Sequence, residues 1–290
     1  MMDESVQRLN QEQRKLQMHV FLLIGILLGA AVTAFMKMMP FSFGLALGAL
    51  FYRLFIFRKM QSRYETMVND ENLRLTTCRA LRESTLDSTG GAGLTQEMVA
   101  AADLLPHFVP GKSPYGAYKG ISGRDGKTKA IVADVALNDS TRQANGRTKG
   151  FVNCGCWIHL EFQEKKERDF RVLGDGTLAV YLKEDFEAAH PDMKAVPATE
   201  TGISEDMTVY ADPGKAGALP GEEFFRKLRN LADYTPAELW LSVRENHMDV
   251  YLKDRFLALP VNVKASVTRE SLLFDPLPEL KRILDLSETL

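Results

Sequence analysis

Hydrophobic and polar positions divide this chain into three parts. From Val20 to Phe57 run 38 residues with only two charges, Lys37 and Arg53. Over 59–83 the apolar positions Met60, Tyr64, Met67, Leu75, Cys78 and Leu81 recur at helical intervals among charged ones. Beyond about residue 94, several short runs alternate with the period of a strand.

Lys37 and Pro40 split the first stretch into 18–36 and 38–57. Each segment has the ~20 residues needed to span a ~30 Å hydrocarbon layer. Pro40 suits the first turn of the second helix, where its missing N–H has no partner to lose. Arg53 lies four positions from the apolar end, close enough to reach the headgroups beside Arg58 and Lys59, so these three are the expected interfacial anchors. A signal peptide is disfavoured by an n-region that is long and begins with Asp3 and Glu4, and a buried soluble hairpin by the lack of a polar stripe. Arg8, Arg14 and Lys15 before the hairpin, and Arg53, Arg58, Lys59 and Arg63 at its end, outnumber the lone Lys37 at the turn. The positive-inside rule then puts both termini in the cytoplasm and a loop of a few residues outside. Gly25 with Gly29, and Gly44 with Gly48, have the four-residue spacing that lets helices approach closely, and are expected to pack the two spans together.

These patterns predict an α+β protein: an N-terminal two-helix transmembrane hairpin with a helical stalk, then a mainly antiparallel sheet domain with flanking helices. The expected boundaries are 1–17 (cytoplasmic segment, whose stripe Val6, Leu9, Leu16 could pack on the stalk), 18–58 (hairpin), 59–93 (stalk and Gly-rich linker) and 94–290 (domain). A polar, Pro-containing stretch at 190–202 offers an internal boundary. Expected strands cover 129–137, 150–162, 170–173, 179–182, 207–211, 239–243 and 248–252. Asp125-Gly126 and Asn145-Gly146 are hairpin-turn signals, as is 245–247. Expected helices run from a Thr95 cap to about Leu105, over 221–232, and from Pro278 onward with Leu280, Ile283 and Leu284 buried.

Candidate chemistry is sparse. Net charge −2 gives no basic footprint for nucleic acid. Three cysteines, odd in number, form no disulfide framework. Gly111-Lys112-Ser113 and Gly126-Lys127-Thr128 resemble the end of a phosphate loop, but the glycine required five positions earlier is Pro106 or Ile121. Cys154, Cys156 and His159 form the one cluster resembling metal ligands. A strand would send His159 to the opposite face from the cysteines, so these are expected to line the buried face with Ile158. Asp206, Asp212, Glu222 and Glu223 read as solvated carboxylates at element ends, and Trp157 and Trp240 as sheet packing. No catalytic residue and no cofactor is expected.

The segment 208–213 (Thr-Val-Tyr-Ala-Asp-Pro), followed by Ala216, Leu219-Pro220 and Phe224-Phe225, together with the strand 151–162, resembles the bacterial domain-of-unknown-function family 3137 over about residues 70–290. The resemblance implies a cytoplasmic domain of unknown role tethered to a bacterial inner membrane, supplies no catalytic residues to carry over, and implies LemA-type membrane proteins as neighbours. The functional expectation is an interaction or scaffold module with a bilayer and a membrane protein as partners. The alternatives are a hydrolase-like membrane enzyme, which a pocket gathering Asp206, Asp212, Glu222, His159 and Cys156 would favour, and a transporter's regulatory subunit.

Overall fold

The computed structural model describes residues 2–142, 148–166, 168–174, 179–203, 206–214 and 219–290. In chain order the elements are α1 (Met2–Phe35), α2 (Met39–Phe51), a π-helical segment (Tyr52–Phe57), α3 (Arg58–Leu75), a 3-10 turn (Thr77–Ala80), β1 (Arg82–Asp87), α4 (Gln96–Ala101), β2 (Tyr115–Asp125), β3 (Thr128–Arg142), β4 (Thr148–Glu161), β5 (Asp169–Gly174), α5 (Ala179–Ala189), β6 (Lys194–Val196), α6 (Ala198–Thr201), β7 (Met207–Ala211), α7 (Glu222–Tyr234), β8 (Leu239–Arg244), β9 (His247–Lys253), α8 (Arg269–Leu273) and α9 (Glu279–Ser287). The expected α+β class holds, with long helices first and an antiparallel sheet after them. Two compact units form: Met1–Leu75 with Leu259–Phe274, and Thr76–Ala258 with Asp275–Leu290.

In the first unit, α1 turns back at Lys37. The N–H of Met38 bonds the Thr33 carbonyl and that of Lys37 bonds Ala34, with Lys37 left-handed at φ 61°. This satisfies the last carbonyls of α1 in three residues. Pro40 then enters the first turn of α2, as its missing donor favours. The N-terminal half of α1 packs on α3 as its stripe predicts: Leu9, Leu16 and Tyr64 are buried together with Leu272 of α8 and Val267. The return of 259–274 to this unit was not legible in the sequence. Amides hold it. Asn10 accepts from the Val267 N–H (2.9 Å) and donates to its carbonyl (3.0 Å), and Asn69 does the same for Leu259 (3.0 and 3.1 Å). Gln13 donates to the carbonyls of Val263 and Ala265, and Asn72 to those of Leu272 and Phe274. Each such bond contributes about 1 kcal/mol net, and its loss would strand a buried backbone group.

In the second unit, nine strands run in the order β1-β2-β3-β4-β9-β8-β5-β7-β6, every described pair antiparallel. One face is filled by Trp157, Trp240, Tyr251 and Leu173, with Val99 of α4 and Phe186 of α5 in the same cluster. On the other, Phe170 meets Phe224 of α7 edge-on at 5.4 Å. The expected Thr95 cap is present, its hydroxyl accepting from Met98 N–H, and the helix it starts ends at Ala101. The hairpin turns at Asp125-Gly126 and before His247, the strand 207–211, α7 and α9 also lie as their patterns indicated. Asn145-Gly146 falls outside the described residues.

Three expectations need correction. The stalk helix stops at Leu75, and 82–87 forms β1, paired with β2 through Asp87↔Gly120. The Gly-rich stretch that follows is packed: a Cβ on Gly91 would lie 2.3 Å from that of Ala117. Glycine there permits close approach of two backbones, a use that composition cannot distinguish from flexibility. Residues 179–182 open α5 instead of forming a strand. The run Lys183 to Ala189 that follows is without β-branched residues and favours helix over 179–189 as a whole. No break occurs at 190–202, because β5 pairs with both β7 and β8 and carries one sheet across it.

Candidate functional site

Two features stand apart from ordinary packing: the surface of the hairpin and a polar row across the sheet. Around the hairpin large apolar side chains face outward, including Phe35 (89 % exposed), Phe21 (72 %), Met39 (68 %) and Phe43 (67 %). A water-soluble protein rarely leaves so many together. Two helices long and apolar enough to cross a membrane carry them, which points to membrane association. His19 and Tyr52 hydrogen-bond across the hairpin at the expected polar end of both spans. Arg53, Arg58 and Lys59 are exposed at that same end.

The glycine pairs do not bring the spans together. A Cβ on Gly25, Gly44 or Gly48 would meet nothing within 4 Å, and one on Gly29 meets only Leu45 at 3.7 Å. The contact falls instead on buried Ala30 and Ala49, with Ser42 Oγ donating to the Ala30 carbonyl at 2.8 Å. Four-residue spacing marks a face but does not say which face meets the neighbour.

On the sheet, cross-strand register aligns His159 (β4), Asp249 (β9), Ser242 (β8), Arg171 (β5) and Tyr210 (β7). All five are buried. Asp249, with no exposed surface, accepts from Trp157 Nε1 and lies against His159 Nδ1, both at 2.8 Å. Burial works to lower the His159 pKa, but the hydrogen bond and charge of Asp249 and the charge of Glu161 outweigh it and raise the value. Its neighbour His247, 5.7 Å away between ring centroids, is held low by burial. Arg171 donates to Asp169 (2.9 Å) and the Val243 carbonyl (3.2 Å). Asp103, left-handed just past α4, lies 3.5 Å from both Arg171 and Arg244 and 3.2 Å from His190, pinning the end of α4 to the sheet by charge.

His159 also borders a 250 Å³ groove with Ser122, Glu161, Lys129, Glu83 and Arg124. The charged rim is internally paired: Lys129–Glu161 at 3.0 Å and Arg124–Glu83 at 3.9 Å. Ser122 is separated from His159 by the whole of strand β3, through Ile131, or about 10 Å at strand spacing. The pair can hold and orient a proton, but no hydroxyl or thiol is hydrogen-bonded to His159 among the described residues.

Cys156 faces the other way, opposite Asp134 and near Glu279. Burial first, then these two carboxylates, pushes its thiol well up, so it stays protonated and apolar. Gly155 explains the Cys-Gly-Cys spacing, since a Cβ there would meet the Leu252 carbonyl at 2.3 Å. Cys154, Cys156 and His159 thus do not converge, as strand alternation indicated, and among the described residues no group of three or more ligands could hold a metal. Asp212 closes a turn by accepting from Gly214 N–H at 2.8 Å, Asp206 is exposed, and Glu222 and Glu223 sit in the first turn of α7. None of them joins the row. Sequence reasoning missed Asp249 and Arg171, although a charge centred in an apolar strand was the available signal.

Asp134 offers a pH test on this second face. It accepts from the N–H groups of Leu257 (2.7 Å) and Ala258 (3.0 Å), yet burial lifts its pKa to about 6. Between about pH 4 and 6 the folded chain therefore binds a proton that the unfolded chain has released, so this group makes stability fall as pH rises through that window. The expected size is about 3 kcal/mol. In denaturant titrations the stability of the wild type relative to Asp134→Asn should fall by about this amount between pH 4 and pH 6.5.

Comparison with family models, curated proteins and solved structures finds no match to this chain.

Proposed function

We propose that this chain is a two-span protein of a bacterial inner membrane, with everything outside the hairpin turn in the cytoplasm, and that its sheet unit is a membrane-tethered interaction module. The basic residues before and after the hairpin support the orientation. The observation that carries the interaction reading is the ribbon formed by β3 and β4. Its pairs from Asn138↔Val152 to Arg142↔Thr148 lie beyond the last pairings of β3 to β2 (Leu137) and of β4 to β9 (Gly155). A two-stranded ribbon alone is marginal in water, and edges that no further strand pairs among the described residues are a template for another one. The partner class is a membrane protein, and the family 3137 resemblance favours a LemA-type neighbour.

Proximity labelling from the C-terminus should recover one reproducible membrane neighbour, lost when 138–152 is replaced by a short Gly-Ser turn. A labelling profile no different from the general membrane background would refute this. The hydrolase-like alternative rests on the His159–Asp249 pair and ranks second, because no nucleophile is bonded to His159 among the described residues. Ester or phosphoester hydrolysis abolished by His159→Gln in a folded protein would reverse the order.

A further inference from the structure

We propose that the hairpin carries a site for one anionic phospholipid headgroup at the polar end of its second helix. The proposal rests on the membrane placement above and adds a specific ligand to it. The π-helical segment Tyr52–Phe57 is its basis, where the N–H of Arg58 bonds the carbonyl of Arg53 five residues back. In an α-helix two residues five apart point about 140° away from each other. The wider π turn brings them to within about 50°. Arg53 and Arg58 consequently border the same 590 Å³ groove. Leu50, Leu54 and Phe57 line it too, while Gln61 and Glu65 bond each other at 2.8 Å further along, away from the apolar span.

Two guanidiniums over an apolar floor match a phosphodiester headgroup above its acyl chains. No carboxylate pairs with Arg53, Arg58, Lys59 or Arg63 among the described residues. Their charge is open to an external anion. Mid-helix π segments cost hydrogen-bond geometry and recur at functional sites. The lipid is the occupant favoured over a free phosphate, since half the groove is apolar.

The test is native mass spectrometry of the full chain in detergent with equal phosphatidylglycerol and phosphatidylcholine. The wild type should retain one phosphatidylglycerol in preference. Arg53→Gln with Arg58→Gln should weaken retention about 30-fold, at about fivefold per basic residue. Lys59→Gln with Arg63→Gln, equal in charge but off the groove, should weaken retention far less than the groove pair. Equal loss in both double variants would overturn the site in favour of diffuse attraction, as would equal retention of the two lipids. Displacement by millimolar inorganic phosphate would overturn the lipid as its ligand. Carbonate extraction separates the two ideas: release of the wild type refutes the membrane placement, whereas retention without lipid preference refutes this site alone.

Discussion

Asp249→Ala is expected to destabilise the sheet unit by about 3–5 kcal/mol, the usual cost of removing one member of a buried charged pair. The carboxylate has no exposed surface and holds both Trp157 Nε1 and His159 Nδ1. Its removal strands two buried groups at the centre of the sheet. It also leaves a void between β4 and β8. A fall in Tm of roughly 10 °C should follow for a unit of this size. Asp249→Asn keeps one acceptor oxygen and should cost less. A loss under about 1 kcal/mol in the alanine variant would show that the row contributes no net stability.

The same row sets a pH profile. His159 has a raised pKa in the folded chain, so its contribution is complete below about 6.5 and is lost as pH rises through the folded value. His247 has a lowered pKa, so its contribution is complete above about 6.5 and is lost as pH falls through the folded value. Together they favour a stability maximum near 6.5, and Asp249→Asn should remove the alkaline side of it.

Placing a charge in the middle of the first span is the second large effect. Leu28 is 62 % exposed on α1, in a run without charges. Leu28→Arg is expected to cost about 3 kcal/mol of insertion free energy, or roughly 100-fold in the inserted fraction. Leu28→Ala should change little. Carbonate extraction of the two variants checks this, and equal retention would mean that Leu28 does not face lipid. The two predictions concern different units and can fail independently.

How much could be read in advance depended on whether a signal was local. The hairpin, the Thr95 cap, the Asp125-Gly126 turn and the 239–252 strand pair follow from neighbouring residues, and all stand in the structure. β1 was hidden because its pairing partner, β2, lies about forty residues on and supplies the hydrogen bonds that end the helix reading. The π segment was hidden for a related reason. Nothing in Tyr-Arg-Leu-Phe-Ile-Phe departs from helix-compatible composition, and only the register of backbone bonds distinguishes the two forms.

The sequence by itself determined which part of this protein is too apolar for water, where that part turns, and where its basic residues lie, because hydropathy and charge are summed along the chain. Tertiary structure alone decided which face of each span meets the other, giving it to Ala30 and Ala49 in place of the glycine pairs. It also aligned His159, Asp249, Ser242 and Arg171 into one row from four strands, and folded 259–274 back onto Asn10, Gln13, Asn69 and Asn72. These depend on register and on contacts between distant residues, which no local pattern encodes.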